Sequence, residues 1–192
     1  MENYDWLLKE YEQMFSEKRY YDGRSSALVS LYFVFITIMV SVIAGANNFT
    51  EEPATSFYAV PLAAASLIGM VIVVNMYFNR TNYVRVCRQI NAIRDFCISN
   101  QIPSFKDRNK MYLDADFPQY YMSNSIHLVF MHLVILINSV FICLAFLICT
   151  GYELPSIAVT VSIFTVSLFA QAYVLRHLLK NRDKKEISSD DW

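Results

Sequence analysis

Long apolar runs alternate with short charged segments along this chain. Four runs, 26–46, 57–78, 126–149 and 156–173, contain no Lys, Arg, Asp or Glu. Each is close to the roughly 20 apolar residues that a helix needs to cross a hydrocarbon layer about 30 Å thick. The last continues with helical character toward Leu179. The first does not read as a cleavable signal, because the residues before it include Glu10, Glu12 and Glu17 and its apolar stretch is too long. The pattern predicts an all-α integral membrane protein with four transmembrane helices. It divides the chain into an N-terminal segment 1–25, a hairpin of spans at 26–79, a middle connection at 80–124, a second hairpin at 125–179 and a tail at 180–192.

The regions flanking the spans carry a second periodicity. Tyr4, Leu7, Leu8, Tyr11, Met14 and Phe15 recur at helical spacing before the first span, with Asp5, Lys9, Glu10, Glu12 and Glu17 on the rest of the circumference. This predicts an amphipathic helix, with Asp22-Gly23 as its stop. After the second span, Tyr83, Val86, Cys87, Ile90, Ile93 and Cys97 share one side, away from Arg85, Arg88 and Asp95. No Gly or Pro separates that stretch from the second span, so one helix can run through both and project about 30 Å beyond the membrane. Its apolar side is the expected partner of the N-terminal helix.

Composition and charge then orient the spans. Of 192 residues 55% are hydrophobic and 17% charged, against about a quarter charged in soluble domains. All 16 Lys and Arg fall in three segments: 9–24, 80–110 and 176–185. The short connections after the first and third spans hold only Glu51, Glu52 and Glu153. Retention of cations on the inner face predicts both termini and the middle connection in the cytoplasm. Cys87, Cys97, Cys143 and Cys149 do not form a disulfide framework.

Enzyme signatures are missing: there is no Gly-rich phosphate loop, no HExxH, no Gly-x-Ser-x-Gly and no paired carboxylate within a span. His127 and His132 are five apart and point to different faces, a poor spacing for a shared metal. No catalytic residue, metal or cofactor is expected.

Polar residues inside the spans are more informative, since each must meet a partner or water. Ser26, Ser30, Thr37, Ser41 and Asn48 fall within a sector of roughly 60° on the first span, with Ala44 on the same line. Thr160, Ser167 and Gln171 coincide on the fourth span, and His127, Met131, Val134 and Asn138 on the third. Ala65-x-x-x-Gly69 on the second suits close helix contact. Such stripes serve ordinary packing or line a water-filled path. With four helices enclosing one another, a path requires an oligomer with one stripe per subunit facing its axis, and the first span is the candidate lining. No charge is fixed in it, which favours a passive conduit over an ion-coupled carrier. A small-solute carrier using His127, His132 and Asn138 is a further alternative.

The basic set Arg85, Arg88 and Arg94, followed by Lys106, Arg108 and Lys110, is the candidate ligand-binding feature. It fits the positive-inside bias and attraction to anionic lipid, or a phosphate-bearing ligand held by Arg forks. Duplex DNA is not an expected partner.

Leu8-Lys-Glu-Tyr-Glu-Gln-Met14, a span pair with a very short outer connection, and Arg85-Val-Cys-Arg-Gln-Ile-Asn-Ala-Ile-Arg94 directly after it resemble the small membrane effectors of bacterial anti-phage operons. The nearest group is the SLATT-like effectors that accompany nucleotide-second-messenger synthases. The resemblance covers about the first 100 residues and is one of layout; the second hairpin departs from the two-span pattern. It implies an oligomeric pore in a bacterial inner membrane, gated by a cytoplasmic nucleotide or oligonucleotide, that depolarises the cell. The expectation from sequence is therefore a homo-oligomeric channel gated from the cytoplasm. A non-conducting anchor that recruits a soluble partner is the alternative.

Overall fold

The computed structural model describes residues 5–46, 55–100, 117–150 and 154–187, with side chains placed for 5–45, 58–100, 117–150 and 155–183. Four helices account for nearly all of them: α1 (Asp5–Ala46), α2 (Thr55–Ser99), α3 (Ile126–Thr150) and α4 (Leu154–Ile187). All four are long and apolar enough to cross a membrane, the architecture of an integral membrane protein. α1 and α2, with 42 and 45 residues, run about 63 and 68 Å at 1.5 Å per residue, twice what a bilayer core needs.

The helix pair therefore continues beyond its apolar halves as a two-helix extension. Leu7 and Met14 of α1 close on Val86, Ile90, Ile93 and Cys97 of α2, with Tyr11, Phe15 and Tyr21 packed alongside. The apolar side expected of α2 is the side that α1 covers, while Arg85 and Asp95 stay exposed.

Asp22-Gly23 does not stop the first helix; α1 passes through it without a break. Gly at a helix interior costs only about 1 kcal/mol relative to Ala, and the packing of α1 on α2 both before and after Gly23 outweighs that. The boundary at 25/26 thus lies inside a rod, as does that at 79/80 in α2. α4 likewise extends past Leu179 to Ile187, because Asp183 finds partners on α2 and on the connector before α3.

Deeper in the bundle, α2 and α3 form the centre, with α1 packed on α2 and α4 on α3. Tyr32, Met76, Leu128, Met131, Val134 and Ile135 fill the middle at 0–1% exposure, so no channel runs through one copy of the described bundle. The small-residue patch of α2 works as its spacing suggests. Ala65, Ser66 and Gly69 are buried, and Gly69 lets α2 approach so closely that a Cβ there would overlap the Asn138 side chain and crowd the Tyr32 hydroxyl.

Most polar groups between the helices are paired with one another, the buried Asn79 Oδ1 and Asn138 Nδ2 being left without a partner among the described residues. Tyr32 donates to Asn138 Oδ1. Ser139 meets Ser167 at 3.4 Å, and Gln171 donates to Ser167 at 2.9 Å and to Ser139 at 3.4 Å. The stripes of the third and fourth spans are thus engaged in helix contact. Much of the outer surface is apolar, with Leu31, Phe33, Val34, Ile38 and Val40 exposed on α1.

Candidate functional site: a cationic cleft at the end of the bundle

Where the helices leave their apolar halves, side chains from α2 fasten the connector 117–125. Asn91 donates to the Phe117 carbonyl at 2.7 Å, Arg88 Nε to that of Pro118 at 3.3 Å, and Arg80 Nη2 and Nε to those of Gln119 at 2.8 Å and Tyr120 at 3.3 Å. Four consecutive carbonyls of a non-helical stretch thus receive donors from one helix, which meets the demand that buried backbone acceptors be paired. From α4, Asp183 accepts the Tyr120 amide at 3.1 Å and pairs with Arg88 at 2.8 Å, and the Arg88 guanidinium lies 4.8 Å from the Tyr120 ring centroid.

A second polar cluster ties α1, α2 and α3 together beside it. Asn79 Nδ2 donates to Ser25 Oγ and to the Tyr21 carbonyl, each at 2.8 Å. Ser25 Oγ lies 2.7 Å from His127 Nδ1, and His127 Nε2 lies 3.0 Å from Asp22. Because a carboxylate only accepts, Nε2 carries the hydrogen, and in the neutral ring Nδ1 accepts the Ser25 hydroxyl. Tyr83 packs on the imidazole with centroids 4.6 Å apart. His127 and Asn138 are therefore engaged within the bundle, whereas His132 Nδ1 donates to the Leu128 carbonyl of its own helix at 2.7 Å. No group of three His, Cys, Asp or Glu suited to a metal occurs among the described residues.

Between these clusters lies a cleft of about 420 Å³, within the range of small-ligand sites. α1 contributes Phe15, Lys18 and Asp22, which share one helix face at spacings of three and four. α2 contributes Arg80, Tyr83, Cys87 and Arg94 from one side, and the first turn of α3 closes the end with Ile126 and His127. Three cations, Lys18, Arg80 and Arg94, face one carboxylate, Asp22. Arg94 Nε donates to the Tyr11 hydroxyl at 2.7 Å and Arg80 lies over Tyr83 at 5.5 Å. At 2% exposure, burial draws the Arg80 pKa below its ordinary value, opposed by Tyr83, Cys87, Asp183 and Asp22. Burial also pushes the Cys87 thiol up, which keeps it protonated and a poor nucleophile.

The residues expected from sequence distribute unevenly. Arg94 lines the cleft; Arg88 is turned to the connector and α4; Arg85 is exposed on another side of α2. Lys106, Arg108 and Lys110 lie outside the described residues, as does Asn48. Ser26, Ser30, Thr37 and Ser41 all face outward from the bundle, with Thr37 and Ser41 donating to the Phe33 and Thr37 carbonyls one turn back at 2.9 and 2.8 Å. Pattern reading missed Lys18, Asp22 and Arg80 as a group. The available signal was that Arg80, the first charge after the second span, shares a helix side with Tyr83, Cys87 and Arg94.

Comparison of the chain with family models, curated proteins and solved structures returns no match.

Proposed function

We propose that this chain is one subunit of an oligomeric membrane conduit controlled from the end that carries the cleft. The observation that supports it is the continuity of α1. One unbroken rod bears the cleft wall of Phe15, Lys18 and Asp22 near one end and the outward stripe of Ser26, Ser30, Thr37 and Ser41 along its spanning half. A stiff helix that moves at its cleft end must also move at the stripe. The stripe is unused by the subunit's own packing, so copies arranged around an axis can present it to a shared water path.

The cleft end gathers the N-terminal half of α1, the end of α2 and the end of α4, where the Lys and Arg are concentrated; the positive-inside rule puts it in the cytoplasm. Gating then needs only a difference in ligand affinity between closed and open states, a few kcal/mol at most. The mass of the detergent-solubilised complex tests the assembly: several copies are expected, and a monomer under all mild detergents would overturn the reading. A nucleotide-synthase gene beside this one would extend it to anti-phage defence.

A non-conducting anchor is favoured by a different observation, the aromatic surface beyond the apolar spans, where Trp6 is 62% exposed and Phe96 47%. It predicts a monomer or dimer in detergent with a stably co-purifying soluble protein.

A further inference from the structure

The cleft carries more donors than its own walls use. Arg80 is almost completely buried, yet only Nε and Nη2 meet carbonyls; Nη1 has no partner among the described residues, and Arg80 lines the cleft. Nη1 is not sealed off from the cleft's solvent, so an acceptor entering the cleft can take a charge-assisted hydrogen bond from it. Lys18, with its Nζ 6.0 Å from the Phe15 ring centroid, stands across from it on α1. Asp22, directed at His127, is the one carboxylate lining the cleft beside Lys18 and Arg80.

The first turn of α3 adds to this. Ser125 precedes the helix and its carbonyl takes the Leu128 and Val129 amides at 2.9 and 3.1 Å, while Ile126 and His127, whose amides open the helix, line the same cleft. A 25-residue helix directs the positive end of its dipole and its first free amides at that space. Aromatic rings of Phe15, Tyr83 and Phe117 are among the other walls.

We infer that the cleft is a binding site for a phosphate group carrying an organic substituent. Arg80 Nη1, Lys18 and the α3 first turn take the phosphate oxygens, and the aromatic walls take the substituent. An anion answers Lys18 and Arg80, and the several oxygens of a phosphate can take the Nη1 donor, an ammonium and helix amides together. The cleft lies where α1 and α2 leave their apolar halves, the depth of phospholipid headgroups, and it also opens toward solvent. The same chemistry can therefore come from an anionic lipid or from a soluble phosphate ester. The inference deepens the gating role proposed above by naming the ligand class.

Binding can be measured without conduction. Purified protein in a neutral detergent is titrated with phenyl phosphate, inorganic phosphate and dihexanoyl phosphatidic acid, with dihexanoyl phosphatidylcholine as the zwitterionic control, following thermal shift and native mass. Saturable stabilisation by the anionic compounds is expected. Lys18→Gln, at a half-buried position, should weaken it about tenfold or more, and Arg80→Lys, which keeps the charge but loses Nη1, should do likewise. Response to phosphatidic acid alone assigns a membrane source; response to phenyl phosphate assigns a soluble one. Stabilisation by none of the anions, equal stabilisation by the zwitterion, or unchanged affinity in a folded Lys18→Gln protein would overturn the site. If binding holds while the purified protein proves monomeric, the conduit reading fails and the site stands.

Discussion

Gly69→Ala is a sharp perturbation because elsewhere in a helix the same change is favourable. At an open helical position, replacing Gly by Ala stabilises by about 1 kcal/mol through propensity. At Gly69 the new methyl overlaps Asn138 Oδ1 and crowds the Tyr32 hydroxyl, so α2 must withdraw or the Asn138 side chain must leave its rotamer. Overpacking a tight core costs about 1–3 kcal/mol. Losing the Tyr32–Asn138 hydrogen bond adds about 0.6 kcal/mol on the average of measured interhelical pairs, and up to about 1.7. Offset by the propensity gain, the net destabilisation is about 1–3 kcal/mol. Reversible unfolding in mixed micelles on rising SDS measures it. Asn138→Ala removes the atoms in the way, so the double variant should be more stable than the sum of the single changes predicts by about 1 kcal/mol or more. A neutral or stabilised Gly69→Ala protein, or strict additivity with Asn138→Ala, would refute the close three-helix contact.

The other predictions test the rod, the fastened connector and the polar stripes in turn. Gly23→Ala, where nothing lies within 4 Å of the new methyl, should stabilise by about 0.5–1 kcal/mol in the same assay; destabilisation would mean that the helix turns at Asp22-Gly23. Arg88→Gln removes the Asp183 ion pair and the contact with the Tyr120 ring, and should cost about 1.5–3 kcal/mol, with faster amide exchange at Tyr120 and in the last two turns of α4; unchanged exchange there would show that Arg88 does not fasten them. Ser139→Ala, which removes the group shared by Ser167 and Gln171, should cost only about 0.6 kcal/mol and leave any current unaltered, whereas loss of current without unfolding would move the water path to the third and fourth spans.

Much of this was legible in the chain because burial follows period. The four spans needed only length and the absence of charge. The contact of the α1 and α2 extensions followed from Leu7, Met14, Ile90 and Cys97 recurring at helical spacing. Asp22-Gly23 misled because a local stop signal worth about 1 kcal/mol was weighed without the tertiary contacts on both sides of it. Arg88 and Arg94 illustrate a different limit. Charge class shows that a guanidinium needs partners, but nothing local reveals that Arg88 meets Asp183, 95 residues on, or that Arg94 meets the Tyr11 hydroxyl. The cleft was hidden for the same reason. Lys18, Arg80 and His127 come from three helices, and only packing brings them to one space. The outward stripe of α1 was visible as a stripe, while its freedom from the subunit's own core required the bundle.

Copies of this chain are proposed to carry ions along the α1 stripe under control of the cleft. Purified protein in planar bilayers tests it most directly. Discrete conductance is expected from wild type, altered by phenyl phosphate or phosphatidic acid and abolished in Thr37→Leu/Ser41→Leu protein that still assembles to the wild-type mass. No conductance under any ligand condition, or undiminished current through the Leu-substituted stripe, would contradict it.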